Sequence, residues 1–545
     1  MKAVIGIDYG TLSARAIVGE SETGRTLGEA TYIYPHGVMD EELPDGTPLE
    51  GSGWALAHPA DYEAALKTIV PGAIKSARIP PENVEALAIA STACTLVPVD
   101  GALTPLCLYP QFSGRPHAYA KLWKHHRAQP YADQMTRVAQ EMNPAILKDY
   151  GGRISSEWAI PKAMELYFED PAIFRAANRF MQISDWLTAR LTGRPDVQNG
   201  SIAQYKTLWN CRYGWPPNEY FARVDPIVLE IVHHKLRGQR LMAGERVGML
   251  SEPAAQALGL QPGTIVAMAH TDAHCGALGV GIAQEGDYAY ILGTSSCGHL
   301  IARERVTVPG VTGSIDDGLI PGYVCYSAGQ ACVGDMLHWF LQNALPAKYE
   351  HLARMQGEDL YQFLEKRAAA QGPDSCRVIA LDWFNGNRSI LANADLSGLL
   401  IGLTLDTTPE EIYRALLDSI AFGHREIVKN FYGHGLGIHR MILCGGIAHR
   451  SKLLPQILAD VLNYPIEISA EPQATALGAA MCAAAAAGEI PLAEAVMRMK
   501  GHALRTVYPD AQSARQYEGR YALYHRLYRF FGKEEPDLMA RLLEK

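Results

Sequence analysis

From Val4 the chain runs apolar to Ile7, meets an acid at Asp8, breaks at Gly10-Thr11 and turns apolar again from Ala14 to Val18. That pattern predicts a strand, a tight turn and an antiparallel return strand, with a carboxylate at the end of the first strand. Thr26 to Tyr34 reads as a third strand, and a loop rich in Pro, Gly and acidic residues follows from Pro35 to Ser52. Residues 59–77 have helical spacing with Pro59 at the start, as a helix N-terminus favours. Val84 to Ile89 is a short buried strand, and strands alternating with helices predict an α/β layered domain. From Pro110 to Gln239 helical patterns dominate. Ile265 to His274 then predicts a buried strand with a polar tip, followed by a helix-like Gly/Ala stretch from Cys275 to Gly281.

A second hairpin is predicted over Asp287 to Ala302, with its turn at Gly293-Thr294. Next come a strand from Gly322 to Ser327, the turn Ala328-Gly-Gln330 and a long amphipathic helix from Asp335. Thr408-Pro-Glu-Glu411 has the form of a capping box, and Ile412, Leu416 and Ile420 mark the apolar face of the helix it opens. A strand from Arg440 to Cys444 ends at Gly445-Gly446, before a helix from Ser451 to Leu462 and an alanine-rich helix from Thr475. Two hairpins of one design, each opening a half of the chain, predict a duplicated architecture. The turn Gln284-Glu-Gly-Asp287 is the expected boundary, giving domains 1–284 and 285–545.

Composition narrows the class. A chain of 545 residues needs more than one ordinary core. The formal net charge of −9 argues against non-specific nucleic-acid binding. The chain enters a strand within a few residues of Met1, so no signal peptide is expected. Ala474 to Gly488, mostly alanine, is shorter than a membrane span and reads as a close-packed internal helix. Ten cysteines occur singly with no Cys-x-x-Cys pair, which predicts free thiols and a reducing, cytoplasmic compartment.

The chemistry gathers at strand ends. The first turn carries small and hydroxylated residues whose amides suit an anion, and Asp8 beside it suits a hydrated Mg²⁺. The plain alternative is a β-hairpin whose turn happens to be polar. Asp272 falls at the carboxyl end of a strand, where open α/β sheets place their chemistry. His270, Asp272 and His274 alternate, so on a strand they would share a face as metal ligands do; no further ligands follow at metal spacing. Aromatic residues beside polar ones, as in Trp123-Lys-His-His126, Ser155-Ser-Glu-Trp158, Ser184-Asp-Trp186 and Tyr205-Lys-Thr-Leu-Trp209, suit sugar binding or simply anchor helices. Paired glycines at Gly445-Gly446 let a planar ligand approach the backbone.

Taken in order, Asp8-Tyr-Gly-Thr-Leu-Ser13, Asp272, Gly293-Thr-Ser295 and Gly445-Gly446 resemble the pattern of the sugar kinase, actin and Hsp70-type ATPases. Trp54-Ala-Leu-Ala-His-Pro59, Leu122-Trp-Lys-His-His126, Tyr150 to Trp158, Tyr205-Lys206, Ala328-Gly-Gln330 and Asp382-Trp-Phe-Asn-Gly386 make the chain similar to the FGGY-type carbohydrate kinases, and within them to the L-ribulokinases. The resemblance implies two duplicated ribonuclease H-like domains with an ATP cleft between them. It also implies ATP-dependent phosphorylation of a ketopentose, L-ribulose to L-ribulose 5-phosphate, in L-arabinose catabolism. Gly10, Thr11, Ser13, Arg15, Gly293, Thr294 and Ser295 would embrace the ATP phosphates, Gly445 and Gly446 would support the adenosine, and Asp8 would hold Mg²⁺ through water. Asp272 would be the general base. The implied partners are a small sugar and ATP, with no nucleic acid and no membrane; a homodimer stays open.

The implied sugar contacts fall on Ala93, Lys206, Asp272 and a glutamate just before Ala-Gly-Gln, where this chain has Ser327. The position before Ser91, often aspartate in those kinases, is Ala90. Two carboxylates are therefore missing from a region expected to bind hydroxyls, and such losses shift discrimination strongly. Three other readings follow: a related kinase for another ketose, polyol or modified sugar; a non-catalytic ATP-binding protein; and a metallohydrolase built on His270, Asp272 and His274.

Overall fold

The computed structural model describes residues 2–501 and 503–543. The chain divides into two compact units, one of Met1–Gln284 with Ile315–Cys325 and Gln473–Gly501, the other of Glu285–Ser314, Tyr326–Pro472 and His502–Lys545.

The first unit is built on β1 (Ala3–Tyr9), β2 (Ser13–Glu20), β3 (Thr26–Ile33), β4 (Val84–Ser91), β5 (Arg246–Met249) and β6 (Ile265–Thr271), which form one sheet in the order β5-β6-β4-β1-β2-β3. β1 and β2 are antiparallel, as the tight turn at Gly10-Thr11 predicts, while β1, β4 and β6 run parallel. Every residue of β1 is buried, whereas β3 alternates between shielded and exposed positions. A strand buried on both faces reads as a continuous apolar run, and an outer one alternates. The helix Pro59–Ala77, matching the predicted span, packs against β2 and β3.

The alanine-rich segment is the buried helix Ala474–Gly488, which packs on β1, β4 and β6. Small side chains are mandatory there. A Cβ on Gly6 would lie 1.8 Å from the Ala476 carbonyl oxygen, and one on Gly478 would lie 1.8 Å from that of Cys275. The region expected to be helical, 110–239, also contains the short strands Ala120–Lys121, Arg179–Gln182 and Val197–Asn199. Ala120–Lys121 and Arg179–Gln182 join Leu56–Ala57 and Leu96–Val99 in a four-stranded sheet. Strands this short carry no period of their own, and their pairing is decided by distant partners.

In the second half, β7 (Asp287–Leu292), β8 (Ser296–Ala302), β9 (Gly313–Asp316), β10 (Val324–Ala328), β11 (Arg440–Cys444), β12 (Ile466–Ser469) and β13 (Ala503–Val507) form a sheet ordered β9-β10-β8-β7-β11-β12-β13. β7 pairs antiparallel with β8 and parallel with β11, β11 is parallel to β12, and β13 closes the edge antiparallel to β12. The first sheet has the same succession: a hairpin, two parallel neighbours, and an antiparallel edge at β5. Duplication is thus a property of strand order.

The capping box opens the helix Pro409–Gly433 as predicted, with Leu416 and Ile420 buried and Ile412 half-buried. The long helix expected from Asp335 is instead Gly334–Asn343, followed by Lys348–Met355 and Leu360–Ala369. Pro346 stops the first piece, since the residue before a proline resists helical angles, and Gly357 with a positive φ ends the second. All ten cysteines are free. Among the described residues no helix is long and apolar enough to cross a membrane.

Candidate active site

The first turn is closed by the Gly10 amide, which donates to the Ser13 carbonyl at 3.0 Å, and is braced by the Tyr34 amide on the Leu12 carbonyl at 3.0 Å. The Trp123 indole N–H donates to Thr11 Oγ1 at 3.1 Å. The amides of Thr11 and Leu12 find no acceptor among the described residues, the condition of a turn suited to an anion.

Asp8 sits at the end of β1, opposite Arg15 on β2 and beside Ala90 on β4. It is 7% exposed. Its Oδ2 lies 3.5 Å from Arg15 Nη1, while its Oδ1 is buried without a hydrogen-bond partner. Burial pushes the Asp8 carboxyl up to about 7; the Asp272 carboxylate adds to the rise and Arg15 opposes it.

β6 ends at Thr271, and Asp272 opens the helix Asp272–Gly279 with Thr271 as its N-cap. Asp272 Oδ1 accepts from the Ala273 amide at 2.7 Å, and Thr475 Oγ1 donates to the Asp272 carbonyl at 3.2 Å. Burial raises the Asp272 carboxyl to about 6 against the Ala273 N–H and the Lys206 charge, which both lower it. Asp8 and Asp272 therefore form a pair of carboxylates in mutual repulsion, with Lys206 acting on the second.

The strand-to-helix change at Asp272 overturns the metal-ligand reading. His270, Asp272 and His274 do not share a strand face, and among the described residues the three do not gather as a ligand set. His270 Nδ1 accepts from the Thr271 amide at 2.7 Å, its Nε2 donates to the Gly318 carbonyl at 2.8 Å, and its ring stacks on His274 at 4.1 Å. Tyr205 covers the other histidine at 4.3 Å.

Lys206 ends the helix Gly200–Lys206, whose N-cap Asn199 also donates to the Ala269 carbonyl on β6 at 2.7 Å. Its Nζ lies 3.6 Å from Glu157 Oε2. Ala93 is half-buried in the turn after β4. The next residue, Cys94, has a φ of 58°, and its carbonyl accepts from the buried Lys162 Nζ at 2.8 Å. Lys162 also donates to the Leu122 carbonyl at 2.6 Å, and burial lowers its pKa to about 8. Sequence reasoning placed Glu157 only within an aromatic-polar cluster and missed Lys162, because a lone lysine in a helical pattern reads as a solvated position.

In the second unit, the Gly293 amide donates to the Ser295 carbonyl at 2.9 Å. The Val333 amide donates to the Thr294 carbonyl at 2.8 Å, and that of Gly334 to the Gly293 carbonyl at 3.1 Å. Here too the amides of Thr294 and Ser295 find no acceptor among the described residues. Gly445 has a φ of 98°, and a Cβ on it would lie 2.3 Å from the Leu292 carbonyl oxygen. Close passage of β7 thus supplies a packing reason for this glycine, beside the ligand reason expected. Gly446 begins the short helix Gly446–Arg450. Ser327 Oγ lies 3.0 Å from His299 Nδ1, and burial pushes His299 down to about 4.

Comparison with known proteins gives matches along nearly the whole chain. Residues 3–279 match the N-terminal domain of the FGGY family of carbohydrate kinases, and 288–487 match its C-terminal domain. The chain is 42% identical to the ribulokinase of Anoxybacillus flavithermus over 546 aligned residues, spanning 99% of this chain and 96% of that protein. It is 40% identical to the ribulokinase of Mycolicibacterium smegmatis over the same shares. Among solved structures, a ligand-bound xylulose kinase from Lactobacillus acidophilus superposes with a TM-score of 0.78 at 18% identity, covering 99% of this chain and 100% of the other.

Proposed function

We propose that this chain, which belongs to the FGGY family of carbohydrate kinases, phosphorylates a ketopentose at a terminal hydroxyl, L-ribulose being the substrate best supported. The carrying observation is end-to-end likeness to proteins named ribulokinase at about 40% identity. ATP is the phosphoryl donor that a kinase of this family implies.

Asp272 is assigned the role of general base. Its raised pKa leaves it mostly ionised at neutral pH yet basic enough to take the hydroxyl proton as the sugar oxygen attacks the γ-phosphorus. Lys206 keeps that carboxylate charged and, with Ala93 and Ser327, is assigned to the sugar. The unbonded amides of the two turns, at Thr11 and Leu12 and at Thr294 and Ser295, suit phosphate oxygens. Gly10, Ser13, Arg15 and Gly293 shape those turns, and Gly445 and Gly446 are assigned to the adenosine. The buried, unpartnered Oδ1 of Asp8 fits a hydrated divalent cation, so Asp8 would hold Mg²⁺ through water. Mg²⁺ would neutralise charge on the phosphates. Residues 1–284 are assigned the first turn, the base and most of the sugar contacts, and 285–545 the nucleotide and Ser327. A cytoplasmic location suits ten free thiols.

A second reading is favoured by Ala90 and Ser327, which put a methyl and a hydroxyl where carboxylates are expected. Under it the substrate is another ketose or a polyol. A panel of ketopentoses, ketohexoses and pentitols with ATP, read by coupled ADP release, tests both. Preferred turnover of L-ribulose is expected; turnover of a polyol but of no ketopentose would overturn the first reading in favour of the second. If Asp272→Asn left turnover intact, the assignment of the base would fall.

A further inference from the structure

The motif Ala328-Gly-Gln330 ends in a buried glutamine whose every polar group is engaged within the second unit. The Gln330 amide donates to Ser296 Oγ at 2.9 Å, and the Ser296 amide donates back to the Gln330 carbonyl at 3.0 Å. Ser296 is the residue directly after the turn Gly293-Thr-Ser295. Three to five residues beyond Gln330, the amides of Val333, Gly334 and Asp335 grip that turn's carbonyls. Gln330 therefore anchors both the strand leaving the turn and the segment that clasps it.

The side chain of Gln330 is itself held from behind. Its Oε1 accepts from the Tyr290 hydroxyl, and its Nε2 donates to Asp382 Oδ2 at 2.8 Å and to the Ile420 carbonyl at 3.0 Å. The other oxygen of Asp382 accepts from the hydroxyl of Tyr524 at 2.9 Å, on the helix Ala511–Arg529. Tyr290, Gln330, Asp382 and Tyr524 are all less than 5% exposed. There is no slack for a shift: a Cβ on Gly423 would lie 2.6 Å from Gln330 Nε2.

We propose that Asp382 and Tyr524 are positioning residues for nucleotide binding, fixing the Gly293-Thr-Ser295 turn through Gln330. The proposal rests on the reading of that turn as a phosphate site. Charge matters as well as shape: only an acceptor-only carboxylate takes both donors without turning an N–H of its own toward one of them. From Tyr290 through Gln330 and Asp382 to Tyr524, each side-chain polar atom of this relay has a partner, so its burial is satisfied.

Steady-state kinetics on the full chain test the proposal. Tyr524→Phe removes one hydroxyl and keeps the ring; Asp382→Asn sets an amide against a donor. Each should raise KM for ATP by about two- to tenfold, the range for one hydrogen bond lost to binding, while KM for the sugar stays within about twofold. Unchanged KM for ATP in folded Tyr524→Phe protein overturns the proposal, and so does a proportional change in both KM values, which marks general loosening. Should Asp382→Asn fail to fold, Tyr524→Phe decides alone. Thr294→Asp, which sets a negative charge on the exposed turn, separates the two levels. If it too leaves KM for ATP unchanged, the phosphate reading fails and takes the proposal with it. If only Thr294→Asp raises KM, the phosphate reading stands and the proposal falls.

Discussion

Replacing Asp272 by asparagine should damage activity and improve stability together, because one cause underlies both. The side chain keeps its shape and its hydrogen bond from Ala273 but loses its charge. Burial holds the Asp272 carboxyl up from 3.8 to about 6, a penalty on the charged form of about 3 kcal/mol. Partial solvent access at Asp272 screens this penalty to about 2 kcal/mol. The sign follows from linkage. Below pH 3.8 both folded and unfolded chains hold the proton and the penalty is absent. As pH rises past 3.8 toward 6, the unfolded chain releases its proton first, and the wild-type protein is progressively destabilised; beyond about pH 6 the penalty is constant. Asp272→Asn removes it. The variant should therefore be more stable than wild type by about 2 kcal/mol at pH 8 and by roughly half that near pH 5, read from urea midpoints. Removing the charge also relieves Asp8, which the Asp272 carboxylate helps push to about 7. Turnover should fall by about 10²–10⁴, the usual worth of a general base. Equal stability of the two proteins at pH 8, or retained turnover, would refute the reasoning.

Asp8→Asn should raise the Mg²⁺ concentration needed for half-maximal turnover, since it removes the charged group with the unpartnered oxygen; an unchanged Mg²⁺ titration counts against its role. Lys206→Met deletes the cation that lowers the Asp272 pKa, so the acid limb of kcat/KM, expected near pH 6 in the wild type, should move to higher pH while KM for the sugar rises. Gly445→Ala should lower the melting temperature by an amount matching about 1–3 kcal/mol of backbone strain, because a φ of 98° and the Leu292 carbonyl leave no place for a methyl group. A normal melting temperature with lost ATP affinity would instead make that glycine a purely ligand-facing one.

Local pattern sufficed wherever the physical cause is local. The apolar run broken at Gly10-Thr11 defines β1, β2 and their turn, because alternation and turn chemistry act over a few residues. Thr408 and Glu411 mark a helix start for the same reason, and the second hairpin at Gly293 is legible as a copy of the first. The pattern puts Asp272 at its strand end but starts the next helix one turn too late, and the earlier start removes the alternation on which the metal reading depends. Other features lie beyond local pattern. Ala90 stands beside Asp8 only through the parallel register of β1 and β4. Lys206 meets Glu157, and Lys162 holds the turn at Cys94, across long stretches of chain. The sequence by itself determined the repeated hairpins, the capped helix opening at Thr408 and the residue types available for phosphoryl transfer. Tertiary structure alone decided that the Asp272 carboxylate acts on Asp8, that Lys206 restrains Asp272 and which glutamine anchors a turn. Strand register, burial and charge proximity depend on partners distant in sequence, and periodicity does not record them.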